Sequence, residues 1–233
     1  MTHHQVPLII PVENQVRELD PKLLLAYVAA GRGFTSVIGS RLEIDFRIAS
    51  FPRSIYLSKS MTARSIKMFR IMRKLGHKIA VWDEEALVHY QPETYFTRRL
   101  SHEAIKYVSH LFAWGQENAD LWRQYPDLPE DMPIYITGNP REDMLRPKLH
   151  PYFEIEAANL RKIYGNYILI NTNFSMVNAF VPSLNLFMPV KKTGETPKFG
   201  RGAIGMSRRF AEGLRDFKLA VFEDIKELVP ALE

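Results

Sequence analysis

The chain has 233 residues, of which 46% are hydrophobic and 12% aromatic, and this composition excludes an intrinsically disordered protein. It contains no cysteine, so disulfides and thiolate metal sites are excluded, and a reducing compartment fits. No apolar run approaches the roughly 20 residues that a membrane-spanning helix needs. Residues 1–5 lack the basic segment and apolar core of a signal peptide. We therefore expect a cytoplasmic protein.

Positive charge is concentrated in one part of the chain, within a formal net charge of +5. Between Arg53 and Lys78 there are many cations and few acids. The cluster could be a nucleic-acid-binding face, a surface that attracts anionic membrane headgroups, or a solvated helix face, and the solvated face is the expected one. The cations between these two ends are Lys59, Arg64, Lys67, Arg70, Arg73 and Lys74.

Apolar runs with the length of strands alternate with helical patterns through the first two thirds of the chain. This alternation predicts an α/β fold, a Rossmann-like doubly wound and mostly parallel sheet with right-handed crossovers. In the first unit, Asp20 is the predicted N-cap of a helix that has Pro21 in its first turn. The predicted strands are residues 7–12, 34–38, 54–57, 79–82, 110–114 and 133–136. The predicted helices are residues 21–30, 40–48, 61–75, 92–100, 102–108 and 115–125.

The pattern changes after a proline-containing boundary at residues 147–151. We predict a helix at residues 152–164, a strand at 166–170, a long loop at 174–206 and a last helix at 207–228 with an apolar stripe. One strand and two helices cannot enclose a core. The predicted domains are therefore residues 1–147 and residues 148–233, the second being the incomplete start of another α/β domain.

Three consecutive carboxylates, Asp83, Glu84 and Glu85, follow the predicted fourth strand. The carboxyl ends of parallel strands form the edge of the sheet where ligands bind, and a carboxylate there can accept a proton. The first strand brings Glu13 and Asn14 to the same edge. The alternative is a solvated acidic loop that caps the next segment.

A second polar stretch, residues 137–141, follows the predicted sixth strand. Pro140 suits the first turn of a helix, and Arg141 could bind an anion held at the helix N-terminus. The alternative is a tight strand-to-helix turn in which Gly138 gives backbone freedom and Asn139 caps the helix.

Several common sites are not indicated by the sequence. The dinucleotide motif GxGxxG and the P-loop motif are missing, as are the zinc motif HExxH and the nucleophile motif GxSxG. The seven histidines are scattered, so we expect no metal and no bound cofactor. Acid–base chemistry by carboxylates and anion binding by Arg and Lys remain.

Four stretches in order, residues 9–20, 81–87, 137–141 and 170–174, resemble the bacterial surface carbohydrate biosynthesis proteins. These are GT-B-type glycosyltransferases that are similar in motif pattern to the Kdo and sialic acid transferases. The resemblance covers nearly the whole chain. It implies a Rossmann-like acceptor-side domain followed by a nucleotide-sugar-binding domain, with the nucleotide sugar as a substrate.

The resemblance also implies roles for individual residues. Glu84 and Glu85 match the two acids of a D/E-D/E-G motif that supplies the general base, whereas Ala86 stands where glycine is usual. Asp83 is then a supporting acid. The implied substrate-binding residues are Glu13, Asn14, Arg17, Lys59, Asn139, Arg141, Asn171 and Asn173.

A second family motif, His-Pro, is expected beyond the last helix, and the sequence ends at Glu233 before it. We therefore expect a truncated member, inactive alone or dependent on residues that it lacks. The function implied is the amino-terminal part of an enzyme that transfers a sugar from a nucleotide-activated donor to a growing capsule or lipopolysaccharide chain. The expected partners are the nucleotide sugar, a glycan acceptor and the inner membrane surface, but not nucleic acid.

Two alternatives from other classes remain open. The chain could be a non-catalytic binding or assembly subunit that forms a homo-oligomer or docks on a partner through its last helix. It could also be a sugar-nucleotide epimerase-like enzyme on the same two-domain plan.

Overall fold

The computed structural model describes residues 6–87, 91–171, 174–190 and 194–228. The chain folds as two compact units, Met1–Ile163 and Tyr164–Glu233. The predicted domain boundary at residue 147 falls inside the first unit.

Across its described residues, the first unit is built on a parallel sheet of six strands in the order β2-β1-β3-β4-β5-β6. Helices flank this sheet, so the predicted α/β class is confirmed. The chain passes from β1 outward to β2 and then returns to β3 on the other side of β1. The topological switch point, where such sheets bind ligands, therefore lies between β1 and β3. The strands are β1 (Leu8–Val12), β2 (Ser36–Ser40), β3 (Ile55–Ser58), β4 (Lys78–Val81), β5 (His110–Ala113) and β6 (Ile134–Ile136).

Short apolar runs form the central strands because both faces of a parallel sheet exclude water. Ile79, Ala80 and Val81 of β4 are almost fully buried. At the edge, β2 begins at Ser36, two residues later than predicted, because its register is set by pairing with β1, where Leu8 lies opposite Ser36.

Helices follow the strands near the predicted places in the first unit, but the helix after the third strand starts at Ile66, five residues later than predicted. In the part of this unit that is described they are α1 (Gln15–Gly31), α2 (Arg41–Phe46), α3 (Ile66–Lys74), α4 (Pro92–Arg99), α5 (His102–Ile105), α6 (Gln116–Arg123), α7 (Pro140–Asp143) and α8 (Glu154–Tyr164).

The start of α1 differs from the prediction. Its N-cap is Asn14, whose side chain accepts a hydrogen bond from the Arg17 N–H at 3.4 Å, and Pro21 lies inside the helix. The Glu18 carboxylate also accepts from the Glu13 N–H at 2.9 Å. These bonds satisfy donors at the helix start, so the helix begins before Asp20 and the predicted Asp20 cap is wrong.

The two faces of the sheet are covered unequally. One face packs against α2 to α6 and forms the main core around Phe69, Met72 and Trp122. The other face carries Ala80 and Phe112 and is covered by α1 only in part. A groove of about 470 Å³ remains open along it.

The second unit contains a helix and turns in its described residues but no sheet. Residues 166–170, predicted as a strand, lie in no sheet there, and Leu169 is 73% exposed. A strand requires a hydrogen-bonding neighbour, and this segment has none among the described residues, so that prediction is wrong. The last helix, α9 (Arg208–Leu228), is confirmed, and it packs on a small core of Leu186, Ala203 and Ala211.

None of the helices in the described ranges is long and apolar enough to cross a lipid bilayer.

Candidate functional site

The carboxyl edge of the sheet gathers polar side chains from several elements of the first unit. Glu13 follows β1, Lys59 follows β3 and Glu84 follows β4, while Arg141 belongs to the first turn of α7. Parallel strands end at the same edge, and α7 follows β6 there as well. Residues that are far apart in sequence therefore become neighbours at the edge beside the switch point.

Lys22 of α1 connects three elements at this edge. Its Nζ donates to the Pro11 carbonyl at 2.7 Å and to Glu18 Oε2 at 2.8 Å, and it lies 3.0 Å from Glu84 Oε1. The Lys22 and Glu84 side chains are only 10% and 9% exposed, and that of Glu18 is fully buried. A buried charge is stable only when paired, so this ammonium fixes the position of the Glu84 carboxylate.

The surroundings of Glu18 favour its charged form. Burial by itself would raise the pKa of Glu18. The hydrogen bond and the charge of Lys22 lower this pKa, and so do the charge of Lys59 and a hydrogen bond from the Asn14 backbone. Together they outweigh burial, so the pKa of Glu18 lies below its usual value. Lys59 Nζ lies 3.6 Å from Glu18 Oε1 and also forms a close ion pair with Glu13, which Arg41 pairs from the other side. Carboxylates and cations therefore alternate along the edge.

Glu85 lies at the rim of the same edge. Its carboxylate is 46% exposed and lies 3.3 Å from Arg17. Solvent screens such a pair, and its contribution to stability is small.

Asp83 has a different environment from its two neighbours, because its side chain is 1% exposed and fully hydrogen-bonded. Tyr95 donates its hydroxyl to Asp83 Oδ2 at 2.7 Å, Arg99 Nε donates at 3.3 Å to the same oxygen, and the Glu85 N–H donates to Oδ1 at 3.1 Å. Burial and the Asp83 charge together raise the pKa of Tyr95, which keeps its hydroxyl protonated as a donor. Asp83 thus holds the backbone at the end of β4.

Two tryptophans and Arg141 hold the same acidic segment. The Trp114 indole donates to the Asp83 carbonyl at 2.6 Å, and the Trp82 indole donates to the Gly138 carbonyl at 2.9 Å. Arg141 Nη1 donates to the Glu84 carbonyl at 3.3 Å, and its guanidinium lies 5.9 Å from the Trp114 ring centroid. Arg141 therefore reaches across from α7 to the end of β4.

The turn before α7 has the structure expected of a tight strand-to-helix connection. Asn139 is its N-cap, with the side-chain oxygen accepting from the Arg141 N–H at 3.0 Å, and Gly138 has a φ of +75°. The capping interpretation of Asn139 is therefore confirmed. Binding of substrate by Asn139 and Asn14, which both cap helices, stays a prediction.

A narrow cleft of about 20 Å³ lies between α1, β3, β4 and α7. This space holds about one water molecule. Within the described chain, Glu18 Oε1 and Glu84 Oε2 are buried without a hydrogen-bond partner. The charged and aromatic side chains that line the cleft are Glu18, Lys22, Lys59, Trp82, Glu84 and Arg141.

The remaining predicted substrate-binding residues belong to the second unit. Asn171 is exposed there, and Asn173 lies outside the described residues. The site as the structure gives it is therefore formed by residues of the first unit.

Sequence reasoning missed several residues of this site, among them Glu18, Lys22 and Arg99. Glu18 and Lys22 have a spacing of four on a helix, with the acid first, which is the favourable order for an ion pair, and this signal could have found them. The link between Arg99 and Asp83 joins residues on two elements, and nothing in the local pattern predicts it.

Across the described ranges, no group of three or more His, Asp or Glu side chains is arranged to hold a metal ion.

No family model matches the sequence, and comparisons with curated proteins and with solved structures also give no match.

Proposed function

We propose that this chain is the acceptor-side part of a GT-B-type glycosyltransferase that transfers a sugar from a nucleotide-activated donor to a growing surface polysaccharide. The observation that carries the proposal is the position of Glu84. It is a carboxylate at the carboxyl end of a central parallel strand, in a cleft that also contains Lys22, Lys59 and Arg141. The resemblance of four sequence stretches to such transferases supports the same function.

In the proposed reaction, an acceptor hydroxyl attacks the anomeric carbon of the donor sugar. Glu84 takes the proton of that hydroxyl as the new glycosidic bond forms, and the bond between the anomeric carbon and the phosphate oxygen breaks with its electron pair moving to the nucleotide. Lys22 and Arg141 hold Glu84 through its side chain and its carbonyl. The positively charged guanidinium of Arg141 also stabilises an anionic leaving group that lies near it.

The cleft must open for this chemistry to occur. Its space holds about one water molecule, and Glu84 Oε2 is covered by protein atoms. Movement of the side chains that line the cleft would admit an acceptor hydroxyl. Closure afterwards would exclude water that could otherwise hydrolyse the donor.

Glu84 and Glu85 can be distinguished as the base by parallel substitutions. We expect Glu84→Gln to lower the turnover of sugar transfer by about 100-fold or more, because general-base catalysis contributes about 10²–10⁴-fold. Glu85→Gln, at the solvent-exposed rim, should lower it by less than about tenfold. Because this chain is expected to be inactive alone, the substitutions are made at the matching positions of a full-length relative that carries both domains. The measurement is nucleotide release from a panel of nucleotide sugars with surface oligosaccharides as acceptors.

Glu43→Gln is the matched control, since Glu43 is an exposed glutamate ion-paired to Arg47 on α2. Unchanged turnover in both the Glu84 and the Glu85 variants would reject the assignment of the base. A wild-type chain that binds neither a surface oligosaccharide nor a nucleotide sugar would reject the function itself.

A second candidate function is that of a non-catalytic assembly subunit. The observation that favours it is the exposure of large apolar side chains on α9, where Phe210 and Phe217 are 60% and 66% exposed. Exposed apolar surface of this kind is typical of protein interaction sites. Size-exclusion chromatography tests it, and a monomer that elutes cleanly at high concentration would argue against it.

The proposed location is the cytoplasm at the inner membrane, where surface polysaccharides are assembled on their carriers.

A further inference from the structure

The outer surface of α3 carries many cations. Between Asp45 and Asp83 the sequence contains no Asp or Glu at all. In the fold, most cations of this stretch lie on α3 and at its two ends, while Arg47 and Lys59 are ion-paired elsewhere. We define the basic face as the exposed residues Arg53, Arg64, Lys67, Arg73, Lys74 and Lys78.

The cations of the basic face lack acidic partners. Among the described residues, no carboxylate forms an ion pair with any of the six. Glu103, whose charge acts on Arg70 of the same helix, already forms an ion pair with Lys106 at 2.7 Å. A solvated helix face normally interleaves both signs of charge. This surface carries one sign only, so its potential is positive and its complement is an anionic surface.

Apolar side chains lie among these cations. Ile71 and Leu75, at the outer side and the end of α3, are 37% and 38% exposed. The aromatic residue of the same helix, Phe69, is buried in the core. Aliphatic side chains beside cations suit the boundary between lipid headgroups and acyl chains, whereas single-stranded nucleic acid is bound on exposed aromatic rings.

The direction of α3 relates this face to the edge of the sheet. The helix follows β3 and runs back from the carboxyl edge to the amino edge, where Lys78 begins β4. The basic face therefore starts, at Arg64, near the same carboxyl edge of the sheet as the candidate site. It extends for the length of the helix.

We propose that the basic face is a docking surface for a membrane that contains anionic lipids. The cations bind the headgroups, and Ile71 and Leu75 contact the apolar boundary. Each cation near an anionic bilayer adds a modest contribution that falls off within a Debye length. Several cations on one face are therefore needed for stable docking. The proposal does not depend on sugar transfer, and its test does not use enzymatic activity.

The test is co-sedimentation of the full chain with vesicles. We expect binding to vesicles of equal parts phosphatidylglycerol and phosphatidylcholine in about 0.1 M salt and loss of binding in about 1 M salt, because the Debye length falls from about 10 Å to about 3 Å. Vesicles of phosphatidylcholine alone should bind at least about tenfold more weakly, since they lack the negative surface potential.

Two triple variants with the same change of charge show whether the basic face is responsible. Lys67→Gln/Lys74→Gln/Lys78→Gln should bind the anionic vesicles at least about tenfold more weakly than wild type. The control triple Arg47→Gln/Arg123→Gln/Arg146→Gln changes exposed cations that are ion-paired to neighbouring acids, and it should bind like wild type. Circular dichroism confirms that both variants are folded.

Three outcomes would overturn the proposal. The first is a wild-type chain that does not bind anionic vesicles in low salt. The second is an equal loss of binding in both triple variants, which would show that net charge matters and the basic face does not. The third is tighter binding to single-stranded RNA or to duplex DNA than to the vesicles, which would make this surface a nucleic-acid site.

Discussion

Asp83, Glu84 and Glu85 are consecutive in the chain but meet three different environments. Asp83 is buried and hydrogen-bonded on both oxygens, Glu84 lines the cleft beside Lys22, and Glu85 is half exposed at the rim. The three residues lie in the turn after β4, where successive side chains leave the backbone in different directions, so these acids do not form one cluster. Glu84 is therefore the proposed base. Asp83 fixes the backbone of the same segment through its buried hydrogen bonds.

Asp83→Asn tests this supporting role. The substitution leaves Arg99 without its buried anion, and we expect the free energy of unfolding to fall by about 3 kcal/mol, since removing one partner of a buried ion pair is costly. Urea unfolding followed by tryptophan fluorescence measures the change.

The control for Asp83→Asn is Asp131→Asn at an exposed position, which should change stability by less than about 0.5 kcal/mol. Equal stability of the two variants would show that Asp83 does not hold the end of β4.

Glu18 makes stability depend on pH. Its pKa is lowered in the folded state, so the unfolded chain binds the proton more readily, and the stabilisation by Glu18 is present above its unfolded pKa of about 4.3. This contribution is lost as the pH falls through the lower folded pKa. We expect the free energy of unfolding to fall below about pH 4.3, and to fall less steeply in Glu18→Gln.

Urea unfolding of both proteins between neutral and acidic pH measures these slopes. The exposed substitution Glu43→Gln should keep the wild-type slope. Identical slopes for wild type and Glu18→Gln would contradict the low pKa of Glu18.

At the scale of elements, the connection between α3 and β4 depends on a glycine. Gly76 has a φ of +87°, a conformation that L side chains rarely adopt. A Cβ at this position would also lie 2.9 Å from the Arg53 Nε. Gly76 therefore allows the chain to leave α3 and enter β4 directly.

Gly76→Ala should lower the free energy of unfolding by about 1–2 kcal/mol, because a residue with a Cβ is destabilised by about this amount in the left-handed conformation. Gly31→Ala, at the last residue of α1, meets no atom within 4 Å and should be neutral or stabilising by up to about 1 kcal/mol. Thermal unfolding of the two variants and the wild type compares them. A Gly76→Ala protein as stable as Gly31→Ala would show that the turn tolerates a side chain.

Element boundaries depend on local bonds that compete with one another. Both Asn14 and Asp20 are good N-cap residues, and the sequence alone favoured Asp20 because Pro21 follows it. Asn14 is the N-cap because Glu18 and Lys22 are held by partners on β1 and just after β1 and β4. A tertiary contact thus decided a local boundary.

At the scale of the whole molecule, the two faces of the sheet are unequal. A parallel sheet is normally covered on both faces, and here α2 to α6 cover one face while the other keeps an open apolar groove. His110, Phe112 and Tyr135 stack along the open face with ring centroids about 6 Å apart. The sequence did not predict this asymmetry, because a buried strand and a half-covered strand have similar composition.

The sequence by itself determined the α/β class, the approximate places of six parallel strands, and the carboxylates after β4. These follow from local patterns, since strand length, apolar runs and turn residues act within a few positions. It also predicted a strand at residues 166–170. The composition of this segment is typical of a strand, but no partner strand lies beside it in the described chain.

Only the tertiary structure decided which of the three acids faces the cleft. Glu84 does so, and Lys22 and Arg141 hold it there. It also decided that the six cations of the basic face lie together without acidic partners, whereas Lys59 of the same stretch is ion-paired at the edge of the sheet. The physical reason is the same in both cases. Burial and charge pairing depend on neighbours that are distant in sequence, and those neighbours are brought together when parallel strands end at one edge and helices pack beside them.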